Sequence, residues 1–149
     1  MNIATLTLNP SLDRTLYFDS FAPGRLNRSL ETVLTLGSKG INVSRVCRLY
    51  GTDAVAYGFI GGENGRIFEK MMDAEGISHD FVRTSAETRM NIKLIDNSDF
   101  SCTEANEAGG PISPAETETL MEKLEGAFGN LDYFAMGGSV PKGVEKSVY

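Results

Sequence analysis

The segment that most restricts the possible folds is the run at residues 3–8, which consists only of apolar and β-branched residues. Because this run has no polar face, it predicts a strand that is buried on both sides. Further strand patterns alternate with amphipathic helical patterns along the rest of the chain. This alternation predicts an α/β fold, in which a doubly wound, mostly parallel sheet carries helices on both faces.

Three helical patterns support this prediction. The first lies at about residues 41–50, after a glycine-rich turn. Its apolar face would hold four residues: Val43, Val46, Cys47 and Tyr50. The second follows a flexible turn at residues 61–65 and ends at about residue 75. The third begins at Ser113, where a Ser N-cap, Pro114 and Glu116 together form a strong start signal.

The strand patterns divide into two groups. Besides residues 3–8, the main sheet would contain strands at 54–60, 79–82 and 131–136, the last of them largely buried. Four further strand patterns fall outside the alternation: residues 14–19, 29–36, 89–95 and 100–104. We expect them to form a small antiparallel sheet, inserted through the segments 14–36 and 88–105.

Composition excludes several classes of function. The net charge of −6 argues against nucleic acid as a partner. No apolar run reaches membrane-spanning length, and the first residues contain no basic region of a secretory signal, so no membrane association or secretion is expected. Cys47 and Cys102 lack C-x-x-C spacing, which is typical of reduced cysteines in a cytoplasmic protein.

The glycine-rich turn before the first helix suggests an anion site. Gly37 and Gly40 bracket Lys39, so free backbone N–H groups at a helix start would lie beside a positive charge. The spacing is not that of a Walker loop. A turn before a surface helix, with a solvated lysine, remains an alternative.

The strand pattern at residues 88–95 places Arg89, Asn91 and Lys93 on one face. That face is either a wall directed at an anion or an ordinary solvated polar surface.

Four motifs stand in order along the chain: residues 9–13 (Asn-Pro-Ser-Leu-Asp), 37–43 (Gly-Ser-Lys-Gly-Ile-Asn-Val), 88–93 (Thr-Arg-Met-Asn-Ile-Lys) and 138–143 (Gly-Ser-Val-Pro-Lys-Gly). Together they closely resemble the N-terminal half of the PfkB, or ribokinase-like, carbohydrate kinases, and in particular their phosphosugar branch. The resemblance implies that residues 1–149 are the N-terminal part of one ribokinase-like domain. The inserted strands would then form a β-sheet lid over the sugar site.

The resemblance also implies the residues that bind the acceptor. They are Asp13, Gly37, Ser38, Lys39, Gly40, Asn42, Arg89, Asn91 and Ser139. Asp13 would bind sugar hydroxyls, and residues 37–42 would wrap the sugar. Lys39, Arg89 and Ser139 would hold the phosphate that the sugar already carries.

A partner subunit is implied as well, because the lids of two subunits often clasp each other in this branch. The expected assembly is therefore a homodimer through the β-sheet lid. Arg25 and Asn27, on the lid turn, would contact the neighbouring subunit's substrate.

Two departures from the family pattern stand out. Ser38 occupies a position where glycine is usual, and it adds a side chain where the backbone should approach the sugar. The Gly-Ala-Gly-Asp motif that carries the catalytic base is absent, so no catalytic residue and no metal site are expected in this chain. ATP and Mg²⁺ are implied as cofactors, with the nucleotide site mostly outside these residues.

The predicted activity is phosphorylation of fructose 1-phosphate to fructose 1,6-bisphosphate by the intact enzyme, because residues 88–93 are most similar to the 1-phosphofructokinase pattern. Tagatose 6-phosphate and fructose 6-phosphate are the alternative acceptors, and Lys39 argues mildly against the latter. A different class of function is a truncated, non-catalytic module that binds sugar phosphate or mediates association. The chain alone is expected to be inactive.

Overall fold

A computed structural model describes residues 1–149. In chain order the strands are β1 (Ile3–Thr7), β2 (Ser11–Phe18), β3 (Glu31–Gly37), β4 (Ala54–Gly61), β5 (Val82–Thr84), β6 (Arg89–Asp96), β7 (Ser101–Asn106) and β8 (Tyr133–Met136). The helices are α1 (Lys39–Leu49), α2 (Gly62–Ala74) and α3 (Pro114–Phe128), and a 3₁₀ turn lies at Lys146–Val148.

The main sheet has the strand order β5-β4-β1-β8, and all its pairs are parallel. Helices α1 and α2 pack on one face, and α3 packs on the other. The predicted α/β class, parallel sheet and two helical layers are therefore confirmed. The capping box at the start of α3 is also present, since Ser113 Oγ accepts from Glu116 N and Ser113 N donates to the Glu116 carboxylate.

Strand β1 lies inside the main sheet and contributes to both layers. Its even-numbered side chains join a core cluster beneath α3 that contains Ala4, Leu6, Leu8, Leu120 and Leu124. On its other face, Thr5 Oγ1 lies 2.9 Å from Ser44 Oγ of α1. The prediction of a strand buried on both sides is confirmed, because Ala4, Thr5 and Leu6 are at most 1% exposed.

The second sheet, called the small sheet below, has the order β3-β2-β6-β7. Two of its pairings are antiparallel as predicted, but the central pair β2–β6 is parallel, with Asp13 opposite Asn91. The antiparallel prediction is therefore wrong for that pair. Both strands start at the C-terminal edge of the main sheet and run away from it in the same direction, because β2 follows β1 and β6 follows β5 through short links.

Helix α1 buries a different face from the predicted one. Gly40, Ile41 and Ser44 are buried, whereas Val46 is 51% exposed and Tyr50 is 84% exposed. The small residues Gly40 and Ser44 allow the helix backbone to lie close to β1, whereas Val46 and Tyr50 point outward. The periodicity of large side chains alone therefore misplaces the buried face.

Three further features of the main sheet and α2 differ from prediction: the start of α2, the start of β5 and the burial of β8. Residues 61–65 are not a flexible turn, because α2 begins at Gly62 and the Glu87 carboxylate accepts from Asn64 N in its first turn. The strand predicted at 79–82 is β5, which begins only at Val82. Strand β8 is not largely buried: Tyr133 is 64% exposed, because β8 lies at the sheet edge with no neighbour on one side.

Candidate functional site

The candidate site lies where the C-terminal edge of the main sheet meets the small sheet. Strands β1 and β8 end side by side there, with Leu6 opposite Met136. Helix α1 and strand β6 both begin at this edge. An open cavity of about 350 Å³ is lined by Asn9, Ser38, Lys39, Arg89, Gly138 and Ser139. The structure thus brings the three residues predicted to hold a phosphate, Lys39, Arg89 and Ser139, to one cavity.

Asn9 links two walls of this cavity. Its Nδ2 donates to Ser139 Oγ at 3.2 Å, and its carbonyl oxygen accepts from Arg89 Nε at 3.2 Å. Asn9 was not among the predicted binding residues. Its position as the first polar side chain after the buried strand at residues 3–8 is the sequence signal that indicates it.

The Arg89 guanidinium is held in a fixed orientation. Besides Asn9, it donates through Nη1 to the Glu107 carbonyl oxygen at 3.1 Å and to Asn91 Oδ1 at 3.3 Å. Burial lowers the pKa of Arg89, and the charges of Asp13 and Glu107 oppose that shift. Because arginine stays protonated in proteins, the cavity carries a permanent positive charge with a defined direction.

The second positive charge is free. The Lys39 side chain is exposed, and no carboxylate lies within ion-pair distance of it. Helix α1 has no acidic residue in its first turn, and no side chain caps it. Its first backbone N–H groups and Lys39 together favour an anion at the helix start.

A polar network adjoins the cavity in the small sheet. Asp13 Oδ1 accepts from Ser11 Oγ at 2.9 Å and from Asn91 Nδ2 at 3.0 Å, while Oδ2 accepts from Lys93 Nζ at 3.1 Å. A carboxylate offers about four acceptor sites, so roughly one remains for a further donor. Hydrogen bonding to Asp13 raises the pKa of Lys93.

Ser11 and Lys93 are functional candidates that the predicted site residues did not include. Both lie on the same strand faces as Asp13 and Asn91, so the two-residue alternation of each strand is the signal that indicates them.

Two glycines bring the loop and the helix start into position. A Cβ at Gly37 would lie 2.4 Å from Asp13 Oδ1, and a Cβ at Gly40 would lie 2.3 Å from Thr7 Oγ1. Neither position has room for a larger residue without movement of its neighbours. Because Gly37 lies directly against Asp13 and the next two residues line the cavity, the loop connects the Asp13 network to the cavity.

Three predicted binding residues lie outside this arrangement. Asn42 Oδ1 accepts from Arg45 Nη1 at 3.0 Å, and Asn42 does not line the cavity. The Asn27 side chain closes its own loop through hydrogen bonds with Ala22 and with the Arg25 carbonyl oxygen, and the Arg25 side chain is exposed. That loop follows the far end of β2, about 20 Å from the cavity at the rise of a strand. A contact across a dimer stays a prediction.

No three His, Cys, Asp or Glu side chains come together as a possible metal site. None of the three helices combines the length and apolarity needed to cross a membrane.

The sequence profile of the pfkB family carbohydrate kinases matches residues 6–149. The chain belongs to this family. The predicted resemblance is therefore confirmed, and the PfkB chain can be compared with individual relatives.

The 1-phosphofructokinase of Borreliella burgdorferi is 39% identical over 147 residues, which cover 99% of this PfkB chain and 47% of that protein. The tagatose-6-phosphate kinase of Staphylococcus epidermidis is 37% identical with the same coverage. A crystal structure of a possible 1-phosphofructokinase of Thermotoga maritima matches with a TM-score of 0.92 at 31% identity, covering 99% of this chain and 48% of that one. The chain thus spans about half the length of these relatives.

Proposed function

We propose that this chain is the acceptor-binding half of an ATP-dependent sugar-phosphate kinase. The observation that carries the proposal is a pair of neighbouring sites of different chemistry, linked by Asn91, which accepts from Arg89 and donates to Asp13. Lys39 and Arg89 supply positive charge at one site. Asp13 supplies a nearly enclosed carboxylate at the other. A sugar phosphate has the matching two parts, an anionic phosphate and hydroxyl donors.

Each group has a defined role in this proposal. Lys39, Arg89 and Ser139 bind the phosphate of the sugar, and the first turn of α1 contributes backbone N–H groups. Asp13 uses its remaining acceptor site for one sugar hydroxyl, and residues 37–40 cover the sugar. The catalytic base, ATP and Mg²⁺ would be held by the part of the kinase that these residues do not include, since phosphoryl transfer needs all of them together.

The proposed acceptor is fructose 1-phosphate, which the intact enzyme would convert to fructose 1,6-bisphosphate. The motif at residues 88–93 and the similarity to 1-phosphofructokinases support this choice. Tagatose 6-phosphate is the closest alternative, because a tagatose-6-phosphate kinase is almost equally similar. Fructose 6-phosphate is the third candidate.

A binding or association module without catalysis is the candidate from another class. The exposed side chains of the edge strand β8 favour it, since an open edge pairs readily with another chain. For the intact enzyme we propose instead a homodimer through the small sheet, in which Arg25 reaches the partner's site. We also propose a cytoplasmic location.

Calorimetric titration of the 149-residue chain tests the proposal. Fructose 1-phosphate should bind, and unphosphorylated fructose should not bind at the same concentrations. Tagatose 6-phosphate and fructose 6-phosphate, titrated in parallel, rank the three acceptors. Equal binding of fructose and fructose 1-phosphate would exclude the assigned role of the cavity.

A further inference from the structure

The backbone at Ser38 adopts a conformation that serine rarely takes. Its φ is 105° and its ψ is 147°. The other non-glycine residue with positive φ is Phe100, whose φ of 61° is that of an ordinary left-handed turn. The region that Ser38 occupies is populated almost only by glycine, and residues held there cluster at functional sites.

The Ser38 hydroxyl is also unsatisfied. Its Oγ is shielded from solvent and has no hydrogen-bond partner. Ser38 is the N-cap of α1, where a serine normally accepts from the first turn, yet it makes no such bond. Ser113, the N-cap of α3, does make that bond. A buried hydroxyl without a partner is unfavourable, so its presence beside a binding cavity calls for a ligand.

Ser38 lies between the two parts of the site. It lines the cavity together with Lys39 and Arg89. The preceding residue, Gly37, lies against the Asp13 carboxylate. A ligand that spans the positive charges and the Asp13 network must therefore pass Ser38.

We propose that Ser38 is a specificity-determining residue whose hydroxyl, enclosed in the ligand-free site, turns about the Cα–Cβ bond to donate a hydrogen bond to a phosphate oxygen of the bound sugar phosphate. This inference rests on the proposed function and deepens it. Glycine at this position would remove both the backbone strain and the unpartnered hydroxyl. A phosphate oxygen, which only accepts hydrogen bonds, is the partner that satisfies the hydroxyl.

Two substitutions separate the strain from the hydrogen bond. Ser38→Gly should raise the Tm of the chain, because glycine accepts this backbone conformation. It should nevertheless weaken binding of fructose 1-phosphate and of inorganic phosphate by about tenfold, the value of one charge-assisted hydrogen bond. Ser38→Ala should weaken binding to a similar extent. It should not show the part of the rise in Tm that comes from relieved strain, since alanine keeps the strained backbone.

Thr7→Val is the matched control. Thr7 Oγ1 is a second buried hydroxyl without a partner, and it lies beneath Gly40 at the same end of α1. Thr7 does not line the cavity. Its removal should leave the affinity for both ligands unchanged.

The outcomes distinguish the role of Ser38 from the proposed function of the chain. If Lys39→Ala weakens binding of fructose 1-phosphate but Ser38→Gly and Ser38→Ala do not, the role of Ser38 is overturned while the proposed function stands. If the folded wild-type chain binds fructose 1-phosphate no better than fructose, both fail. If Thr7→Val weakens binding as much as the Ser38 variants do, the effect belongs to the helix start in general, and the proposal is overturned.

Discussion

The ammonium of Lys93 lies 3.1 Å from Oδ2 of Asp13, and it completes a network that Ser11 and Asn91 form on the other carboxylate oxygen. Three donors therefore fix the carboxylate before any ligand arrives. Such a group is suited to orient a hydroxyl, because its direction is set in advance and roughly one acceptor site remains.

Asp13→Asn should weaken binding of fructose 1-phosphate by roughly tenfold, because an amide keeps the shape but offers fewer acceptor sites to the same donors. In the intact kinase it should raise the KM of the sugar and lower kcat. The pH at which the catalytic base titrates should not move. Loss of that pH dependence in the variant would show that Asp13 is itself the base.

The ion pair between Lys93 and Asp13 should stabilise the fold in a pH-dependent way. Because the folded-state pKa of Lys93 is raised above its ordinary 10.5, the stabilisation is complete below that pH and is lost as the pH rises through the raised value. Near neutrality, Lys93→Met should therefore lower the free energy of unfolding by at most about 1 kcal/mol, since the lysine is one-third exposed. Urea unfolding of both proteins at pH 7, 9 and 11 should show the full difference at the two lower values and a smaller difference at pH 11.

Lys39→Ala should weaken binding of fructose 1-phosphate by about tenfold or more, because it removes a charge-assisted contact to the phosphate. Its Tm should stay unchanged, since the Lys39 side chain has no partner to lose. Lys70→Ala, on the exposed surface of α2, removes the same charge outside the cavity and should leave binding intact. Calorimetry that finds equal affinities for the two variants would remove Lys39 from the site.

A substitution at Arg89 does not separate an effect on binding from an effect on stability. Its guanidinium also holds the Asn9 and Glu107 carbonyl oxygens, so Arg89→Ala should lower both the Tm and the affinity.

The order of strands and helices could be predicted from sequence because each element carries its own pattern. The apolar run at residues 3–8 and the capping box at Ser113 are local signals, and both are present in the structure. The face of α1 that is buried could not be predicted in this way. It depends on how closely Gly40 and Ser44 let the helix approach β1, which is a property of the packed pair.

The same limit applies to the candidate site. The four ordered motifs indicate Lys39, Arg89 and Ser139, which the structure brings to one cavity. The φ of Ser38 and the isolation of its hydroxyl leave no trace in the sequence beyond a serine where glycine is usual. The Lys93 contact follows from the parallel register of β2 and β6, which the predicted antiparallel sheet did not contain.

Asp96 should make the small sheet sensitive to acid. The Ser98 hydroxyl and the backbone N–H groups of Phe21 and Ser98 lower the pKa of Asp96 below its ordinary 3.8. The stabilisation is thus present above that pH and is lost as the pH falls through the lowered value. Asp96→Asn should lower the Tm at pH 7, and the gap to wild type should narrow well below pH 3.8. A gap that stays constant down to pH 2 would contradict this role.

The last prediction concerns the 149-residue chain in isolation, which should show no phosphoryl transfer from ATP to fructose 1-phosphate. It lacks the Gly-Ala-Gly-Asp motif that the family resemblance associates with the catalytic base. It should also self-associate, because the edge strand β8 has an open side and exposes Tyr133 and Met136, while α1 exposes Val46 and Tyr50. An unpaired apolar edge and an adjoining apolar surface favour contact with a second copy.

Size-exclusion chromatography with light scattering, run beside a kinase assay, tests both parts of this prediction. Met136→Lys places a charge at the end of the open edge and should reduce association, since edge lysines oppose strand pairing. Glu118→Lys, on the exposed surface of α3, changes charge away from that edge and should not. A monodisperse wild-type monomer with measurable phosphoryl transfer would contradict both parts, because the base and the nucleotide site would then lie within these 149 residues.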